Sequence, residues 1–255
     1  MATLPEVVAV AVVAGAATGV GALPVLVVAD VTDRSYDAAL GFAAGVMLAA
    51  VAFALVAPGI EAGSPAVVAA GVLAGGGTFL AGIRATPRLR SRFAWLRRAR
   101  ETPERSDDRR RALLVALAVS LDNAPEGLAV GVAFGGGLDG AGYALAAAIA
   151  LQNLPDGFVM AVPAVRSGVA RPRAVAYATL SGGLPEPVAA VAGFLLVGLA
   201  ASLFPLAAGF AAGAVLAVVA RELLPSSQAH GHADAAVASL LLGFVAALLV
   251  DAGLG

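Results

Sequence analysis

Eight apolar stretches of about 20 residues each recur along this 255-residue chain, and about 20 is the length a helix needs to cross a bilayer. They run Pro5–Val28, Ala38–Ala57, Pro65–Ile83, Ala112–Phe134, Ala141–Val165, Ala174–Leu199, Pro205–Leu224 and Ala235–Ala252, and are called spans 1 to 8. Charge is scarce: 13% of the residues are charged and 60% are hydrophobic, against roughly 25% charged in an ordinary soluble domain. Eleven of the 16 basic residues, with four acids, fall within Arg84–Arg111, so the spans are emptier still. Such a chain cannot cover a soluble surface, which excludes a soluble enzyme, a nucleic-acid binder and a disordered chain. The expected fold class is all-α, a polytopic membrane protein with one transmembrane domain over residues 1–255. There is no Cys, hence no disulfide and no thiolate metal site. Every basic residue is an Arg and the first is Arg34; without a positive leader region, span 1 is expected to be retained.

Arginine placement sets the expected orientation. Arg34 lies between spans 1 and 2, eleven Arg between spans 3 and 4, Arg166, Arg171 and Arg173 between spans 5 and 6, and Arg221 at the end of span 7. With eight spans all of these fall on one side, which is read as cytoplasmic. The opposite loops, Pro58–Ser64, Gly135–Gly140 and Ala200–Phe204, contain no Arg. The localisation expected is therefore the cell membrane, multi-pass, with both termini outside. Residues 84–111 become an Arg-rich cytoplasmic loop. It could serve as a surface for anionic lipid or regulation, but a topology determinant is the plainer reading.

Three pairs of segments match within the chain. Gly41-Phe42-Ala43-Ala44-Gly45 in span 2 reappears as Gly209-Phe210-Ala211-Ala212-Gly213 in span 7, and the match continues through Leu48/Leu216, Ala49/Ala217, Val51/Val219 and Leu55/Leu223. Gly21-Ala22-Leu23-Pro24 in span 1 echoes Gly182-Gly183-Leu184-Pro185 in span 6. Leu121, Asn123, Pro125 and Gly127 in span 4 echo Leu151, Asn153, Pro155 and Gly157 in span 5. In each pair the two spans cross in opposite senses, the signature of inverted repeats: spans 1–3 against 6–8, and span 4 against span 5. Transporters built this way bind near the midplane at interrupted helices, and spans 4 and 5 are the expected interrupted pair.

Those spans carry polar side chains where lipid-facing residues belong. Span 4 reads Asp122-Asn123-Ala124-Pro125-Glu126-Gly127, span 5 reads Gln152-Asn153-Leu154-Pro155-Asp156-Gly157, and span 6 reads Ser181-Gly182-Gly183-Leu184-Pro185-Glu186-Pro187. Asp122 and Glu126 share one helix face, as do Gln152 and Asp156. Each pair lies about 10–15 residues into its span, which at 1.5 Å per residue is near mid-membrane. Pro125, Pro155 and Pro185 each free the carbonyl four residues earlier, those of Leu121, Leu151 and Ser181. Four deep acids, Asp122, Glu126, Asp156 and Glu186, face no Arg at comparable depth. An acid at the bilayer centre costs about 2.5–3.5 kcal/mol on insertion scales, so protonation or a bound cation must compensate. With Asn123, Gln152 and Asn153 the acids form an oxygen-rich cage suited to a divalent cation.

These motifs resemble the ZIP family of zinc/iron-type metal transporters. Span 4 is similar to that family's His-Asn-x-Pro-Glu-Gly motif, with Asp122 in the His position. Span 5 resembles the partner motif, with Gln152 first and Asp156 in the Glu position. Ser181–Pro187 resembles the family's span 6 segment, Arg221-Glu222-Leu223-Leu224-Pro225 with His230 and His232 resembles its span 7 end, and Gly41–Leu48 is typical of bacterial members. The resemblance implies eight spans with both termini outside and two adjacent metal sites. One would use Asp122, Glu126, Gln152 and Asp156; the other would use Asn123, Glu126, Asn153, Asp156 and Glu186, with Glu126 and Asp156 bridging. It implies transport of a divalent metal substrate into the cytoplasm, by an elevator-like motion of the span 4/5 bundle. Zinc is the first substrate expected, with no separate cofactor. The donors are all oxygen, though, which leans toward Mn²⁺ or Fe²⁺ or a less selective site. Glu222, His230 and His232 are candidate exit-path groups. The competing reading of each is plain: a salt bridge for Glu222, solvated loop side chains for the two His.

Other readings were weighed on the same residues. A proton- or sodium-coupled transporter of another solute would use the acids as relays, but amides beside acids are poor relays and fair cation ligands. A non-transporting, metal-sensing relative stays open. An intramembrane enzyme is disfavoured: Asp139 sits in a short external loop, and neither His-Glu-x-x-His nor Gly-x-Ser-x-Gly occurs. The expected partners are the metal ion and the bilayer, with no nucleic acid. The Ala/Gly-rich faces suit a homodimer.

Overall fold

The computed structural model describes residues 2–27, 32–92, 123–166, 168–199 and 201–254. In chain order its helices are α1 (Leu4–Ala22), α2 (Asp33–Ala50), α3 (Ala57–Ala62), α4 (Pro65–Arg92), α5 (residues 123–135), α6 (Asp139–Arg166), α7 (Arg171–Gly183), α8 (Pro185–Leu199), α9 (Phe204–Val218), α10 (Leu224–Ser227) and α11 (Ala233–Leu254). A 3-10 turn, Leu23–Leu26, prolongs α1. Two π-helical segments, Val51–Val56 and Val219–Leu223, join α2 to α3 and α9 to α10. No strand occurs among the described residues, and seven stretches there are long and apolar enough to cross a membrane. The protein is an all-α polytopic membrane protein. Helix α5 is the described part of span 4; residues 112–122, Asp122 among them, lie outside the described residues, as do residues 93–111 of the Arg-rich segment.

The helix ends follow local chemistry. Thr3 and Glu6 form a capping box at the start of α1: Thr3 N and Oγ1 donate to Glu6 Oε2 at 2.6 and 2.9 Å. Thr32 caps α2 by accepting from Ser35 N at 3.2 Å. Pro65 opens α4, where a missing backbone donor costs nothing. Two long-range bonds then hold both ends of α1 in place. Ala2 N donates to Asp139 Oδ1 at 3.0 Å, beside the start of α6, and Arg171 Nη1 donates to Leu26 O at 3.1 Å, beside the start of α7.

One expectation needs correction. Span 5 is not interrupted: α6 runs unbroken through Pro155. Losing one backbone hydrogen bond is tolerated there because the neighbouring turns keep theirs. The break falls in span 6 instead, between α7 and α8 at Leu184 (φ −107°, ψ −52°). There Gly182 and Gly183 weaken the ladder just before Pro185 removes a donor. Span 3 is apolar over Pro65–Gly82, close to the expected bounds, and its helix α4 runs on into the Arg-rich segment as far as Arg92.

The internal repeat is visible in the packing. Adding 168 to a number in the first half gives its counterpart in the second: α4 starts at Pro65 and α11 at Ala233, and the π segments start at Val51 and Val219. The contacts obey the same rule. Gly41 and Gly45 of α2 back onto the carbonyls of Ala236 and Leu240 in α11; Gly209 and Gly213 of α9 back onto those of Val68 and Val72 in α4. Gly243 meets the carbonyl of Phe42, and Gly75 that of Phe210. Glycine is required at these positions because a side chain would strike a neighbouring backbone. In spans 4 and 5, Gly127 backs onto Glu186 O of α8 and Gly157 onto Thr18 O of α1. That pairs Thr18 with Glu186, again 168 apart. The Gly-x-Leu-Pro echo between spans 1 and 6 (21 to 182) would set an offset of 161. The packing register therefore lies two helical turns from that echo.

The helices sort into two sets. In one, α2 packs chiefly on α11 and α4 on α9. In the other, α1 packs on α6, α7 and α8, and α5 is held on α8 through Gly127 and Gly131. The described polar residues of spans 4 to 6 belong to the second set; Asn123, Glu126, Gln152 and Asp156 face α2 and α9 of the first, whereas Asn153 and Glu186 lie against α1.

Candidate metal centre

Asn123, at the start of the described part of span 4, is buried. Its Nδ2 donates to Ser181 O at 3.0 Å. This is the carbonyl that Pro185 releases, so the freed oxygen is taken by an amide and does not serve as a spare cation donor. The Ser181 hydroxyl turns the other way, donating to Ala178 O at 2.7 Å. One turn along α5, Glu126 is 2% exposed, and its Oε1 accepts from Gln152 Nε2 at 2.5 Å. Asn153, fully buried, shares its Nδ2 between Ala14 O at 2.9 Å and Glu186 Oε2 at 3.2 Å. Glu186 is itself fully buried in the first turn of α8. Asp156 is half-buried.

The amide orientations follow from these partners. Carboxylate and carbonyl oxygens only accept, so each amide must turn its NH₂ toward them. Its own oxygen is then left over. Gln152 Oε1, Asn153 Oδ1 and Glu186 Oε1 are buried with no hydrogen-bond partner among the described residues. A buried acceptor left unmade costs about 1–3 kcal/mol, and here three such atoms belong to adjacent side chains of the same network. All are oxygens, and among the described residues no side chain donates a hydrogen bond to them. Such a set has the chemistry of a cation or water site.

Access is one-sided. A cavity of about 180 Å³ reaches Asn123, Glu126 and Asp156, and is lined further out by Tyr36, Glu222 and Ser226, with Met47, Val159 and Leu223 in its walls. On the other flank of Glu126 and Gln152 only about 10 Å³ is open, between Leu55, Leu145, Ile149 and Val215. That is barely room for one water. Among the described residues the cavity extends toward Glu222, and aliphatic side chains pack against the other flank of Glu126 and Gln152.

The structure brings together Asn123, Glu126, Gln152, Asn153, Asp156 and Glu186, though not as a tight cage. Among the described residues no three carboxylate or imidazole groups converge on one point. Glu126 and Asp156 face the cavity; Glu186 lies behind Asn153. Asp122, expected one turn before Glu126 on the same helix face, falls outside the described residues. Glu222 is exposed on the cavity wall, inside the second π segment. His232 is exposed on the loop before α11. His230 is not simply solvated: its Nδ1 lies 2.7 Å from Oδ1 of the fully buried Asp37.

Three buried polar residues, Asp37, Thr18 and Ser227, lie outside the motifs the sequence singles out. Asp37 stands one residue before span 2, and its partner is 193 residues away. Thr18 is 1% exposed with Oγ1 unpartnered among the described residues, and it packs against Gly182. Only the 168-residue register, which matches it to Glu186, could have flagged it.

Residues 97–251 match the family model for the ZIP zinc transporter. Over 94% of this chain and 78% of the relative, it is 37% identical to the zinc transporter ZIPB of Bordetella bronchiseptica. To the zinc transporter GufA of Myxococcus xanthus it is 36% identical, covering 95% and 96% of the two chains. The human zinc transporter ZIP11 matches at 37% identity over 57% of this chain and 44% of its own. With the polar motifs of spans 4 to 6 assembled as described, this chain belongs to the ZIP zinc transporter family.

Proposed function

We propose that the chain carries divalent metal across the membrane, zinc first and Mn²⁺ or Fe²⁺ as further substrates, into the cytoplasm. The metal is held near the bilayer midplane by Glu126 and Asp156, with Asp122, Asn123, Gln152, Asn153 and Glu186 around them. The observation that carries this reading is an open cavity that ends on the carboxylates of Glu126 and Asp156, with the buried amides of Gln152 and Asn153 and the Glu186 carboxylate packed behind them. Gln152 donates to Glu126 Oε1 and holds the carboxylate in place, and a carboxylate at the end of an open cavity is a suitable cation ligand. The arginines of the loops support an orientation with the Glu222 end in the cytoplasm. On this orientation the cavity faces inward, and Glu222, His230 and His232 receive metal as it leaves.

The aliphatic seal beside Glu126 separates the two sets of helices. Sliding the set that carries spans 4 and 5 against α2 and α9 would open the seal and expose the same oxygens to the other side. Both packing surfaces there are Ala- and Val-rich, which suits relative movement.

Metal uptake into proteoliposomes tests this, across Zn²⁺, Mn²⁺, Fe²⁺, Co²⁺ and Cd²⁺, with Glu126→Ala in parallel. Flux should be present in the native protein and lost in the variant, while both insert and stay folded. Near-normal flux in Glu126→Ala would remove Glu126 from the site. No flux for any metal would remove the transport reading.

A further inference from the structure

The chain holds three methionines and no cysteine. Both methionines beyond the first residue, Met47 and Met160, line the cavity that ends at Glu126. They stand on different sets of helices. Met47 belongs to α2, whereas Met160 belongs to α6, in the set that carries Glu126 and Asp156. Only Met160 keeps its place beside those carboxylates when the two sets slide.

Gln152, Asp156 and Met160 follow one another at intervals of four residues, so one face of α6 carries an amide, a carboxylate and a thioether in successive turns. Asp156 is one methylene shorter than the Glu that the family motif has there, and the long, flexible side chain one turn on reaches the same cavity. Met160 is half-buried, and its Sδ lies 4.0 Å from Ser181 Oγ. That hydroxyl gives its hydrogen to Ala178 O at 2.7 Å, so the lone pairs of the sulfur are not taken up. Ser181 also offers its carbonyl to Asn123. The sulfur thus stands beside the residue that anchors Asn123, in a cavity shared with Asn123, Glu126 and Asp156. An aliphatic side chain fills such a wall equally well, as Val159 and Leu223 do. A thioether adds a polarizable donor, which soft cations accept and hard ones do not.

We propose that Met160 is a specificity-determining residue: its sulfur binds the cation alongside Asp156 and favours soft divalent ions of the Cd²⁺ class over hard ones of the Mn²⁺ class. The inference deepens the transport reading and rests on it for the passage of metal, but not for its binding. The oxygens hold any divalent ion, and the sulfur ranks them.

Met160→Leu keeps the volume and apolar character of the wall and removes the sulfur. In proteoliposomes offered Cd²⁺ and Mn²⁺ together, the preference for Cd²⁺ should fall several-fold in this variant, with Mn²⁺ uptake unchanged. X-ray absorption at the cadmium edge of the Cd²⁺-loaded full chain gives a second readout. The chain has no cysteine, so any sulfur scattering from bound Cd²⁺ comes from a thioether. It should be present in a Met47→Leu background and vanish when Met160→Leu is added. An unchanged Cd²⁺ to Mn²⁺ ratio overturns the proposal. So does an equal fall for both ions, which is lost packing, and so does sulfur scattering that is absent from Met47→Leu or survives in the double variant. Failure of the transport reading would appear separately, as no flux of any ion through the native protein with the Met160-dependent sulfur scattering intact.

Discussion

Glu126 and Gln152 form a pair whose meaning lies in what Gln152 does with its second atom. The NH₂ donates to the carboxylate and fixes its position, and the amide oxygen is left unpartnered among the described residues. Asn153 repeats this division beside Glu186. Amides in the membrane thus act as orienting groups that leave oxygen surplus. Asp122 occupies the position where the family motif has His. Asp122→His is expected to shift the transport ranking toward Zn²⁺ over Mn²⁺ several-fold, since imidazole favours zinc. Competition between the two ions in uptake assays reads this out, and an unchanged ranking would take Asp122 out of contact with the metal. The central residues were legible because a polar side chain amid apolar sequence is conspicuous. Asp37 and Thr18 were not. An acid at a helix start and a threonine in an Ala/Gly-rich helix look ordinary until the fold seals them.

At the scale of elements, glycine decides which helices touch. Gly213 backs onto the Val72 carbonyl, whereas a Cβ on Gly77, also in α4, would meet nothing within 4 Å. Gly213→Ala should destabilise the protein by about 1–3 kcal/mol through overpacking. Gly77→Ala should be neutral or stabilise by up to about 1 kcal/mol through its helix propensity. Thermal unfolding in one detergent compares the two. Equal midpoints would mean that the α4–α9 contact is looser than its geometry. The existence and rough extent of the helices were readable from hydropathy, because length and apolarity are sequence-local. The break at Leu184, the unbroken α6 and the π segments were not. Each depends on whether neighbouring helices offer partners for backbone groups, as Asn123 does for Ser181 O.

At the scale of the molecule, one register relates the halves, and it also names where they differ. Around the cavity, Tyr36, Glu222 and Ser226 correspond to Phe204, Ala54 and Pro58. Phe204 and Ala54 are buried. If the halves exchange roles when the path opens to the other side, that vestibule is neutral and greasy where this one is acidic and hydroxylated. Such an asymmetry bears on rates and leaves direction alone. For metal moving without a coupled solute, net flux vanishes at equal concentrations, so maximal rate divided by half-saturation is the same both ways. The acidic vestibule should lower the half-saturation concentration from its own side and lower the maximal rate in proportion. Glu222→Ala, matching its counterpart Ala54, should draw the two directions together. Sided vesicles would reveal this as a convergence of two curves whose initial slopes had always agreed.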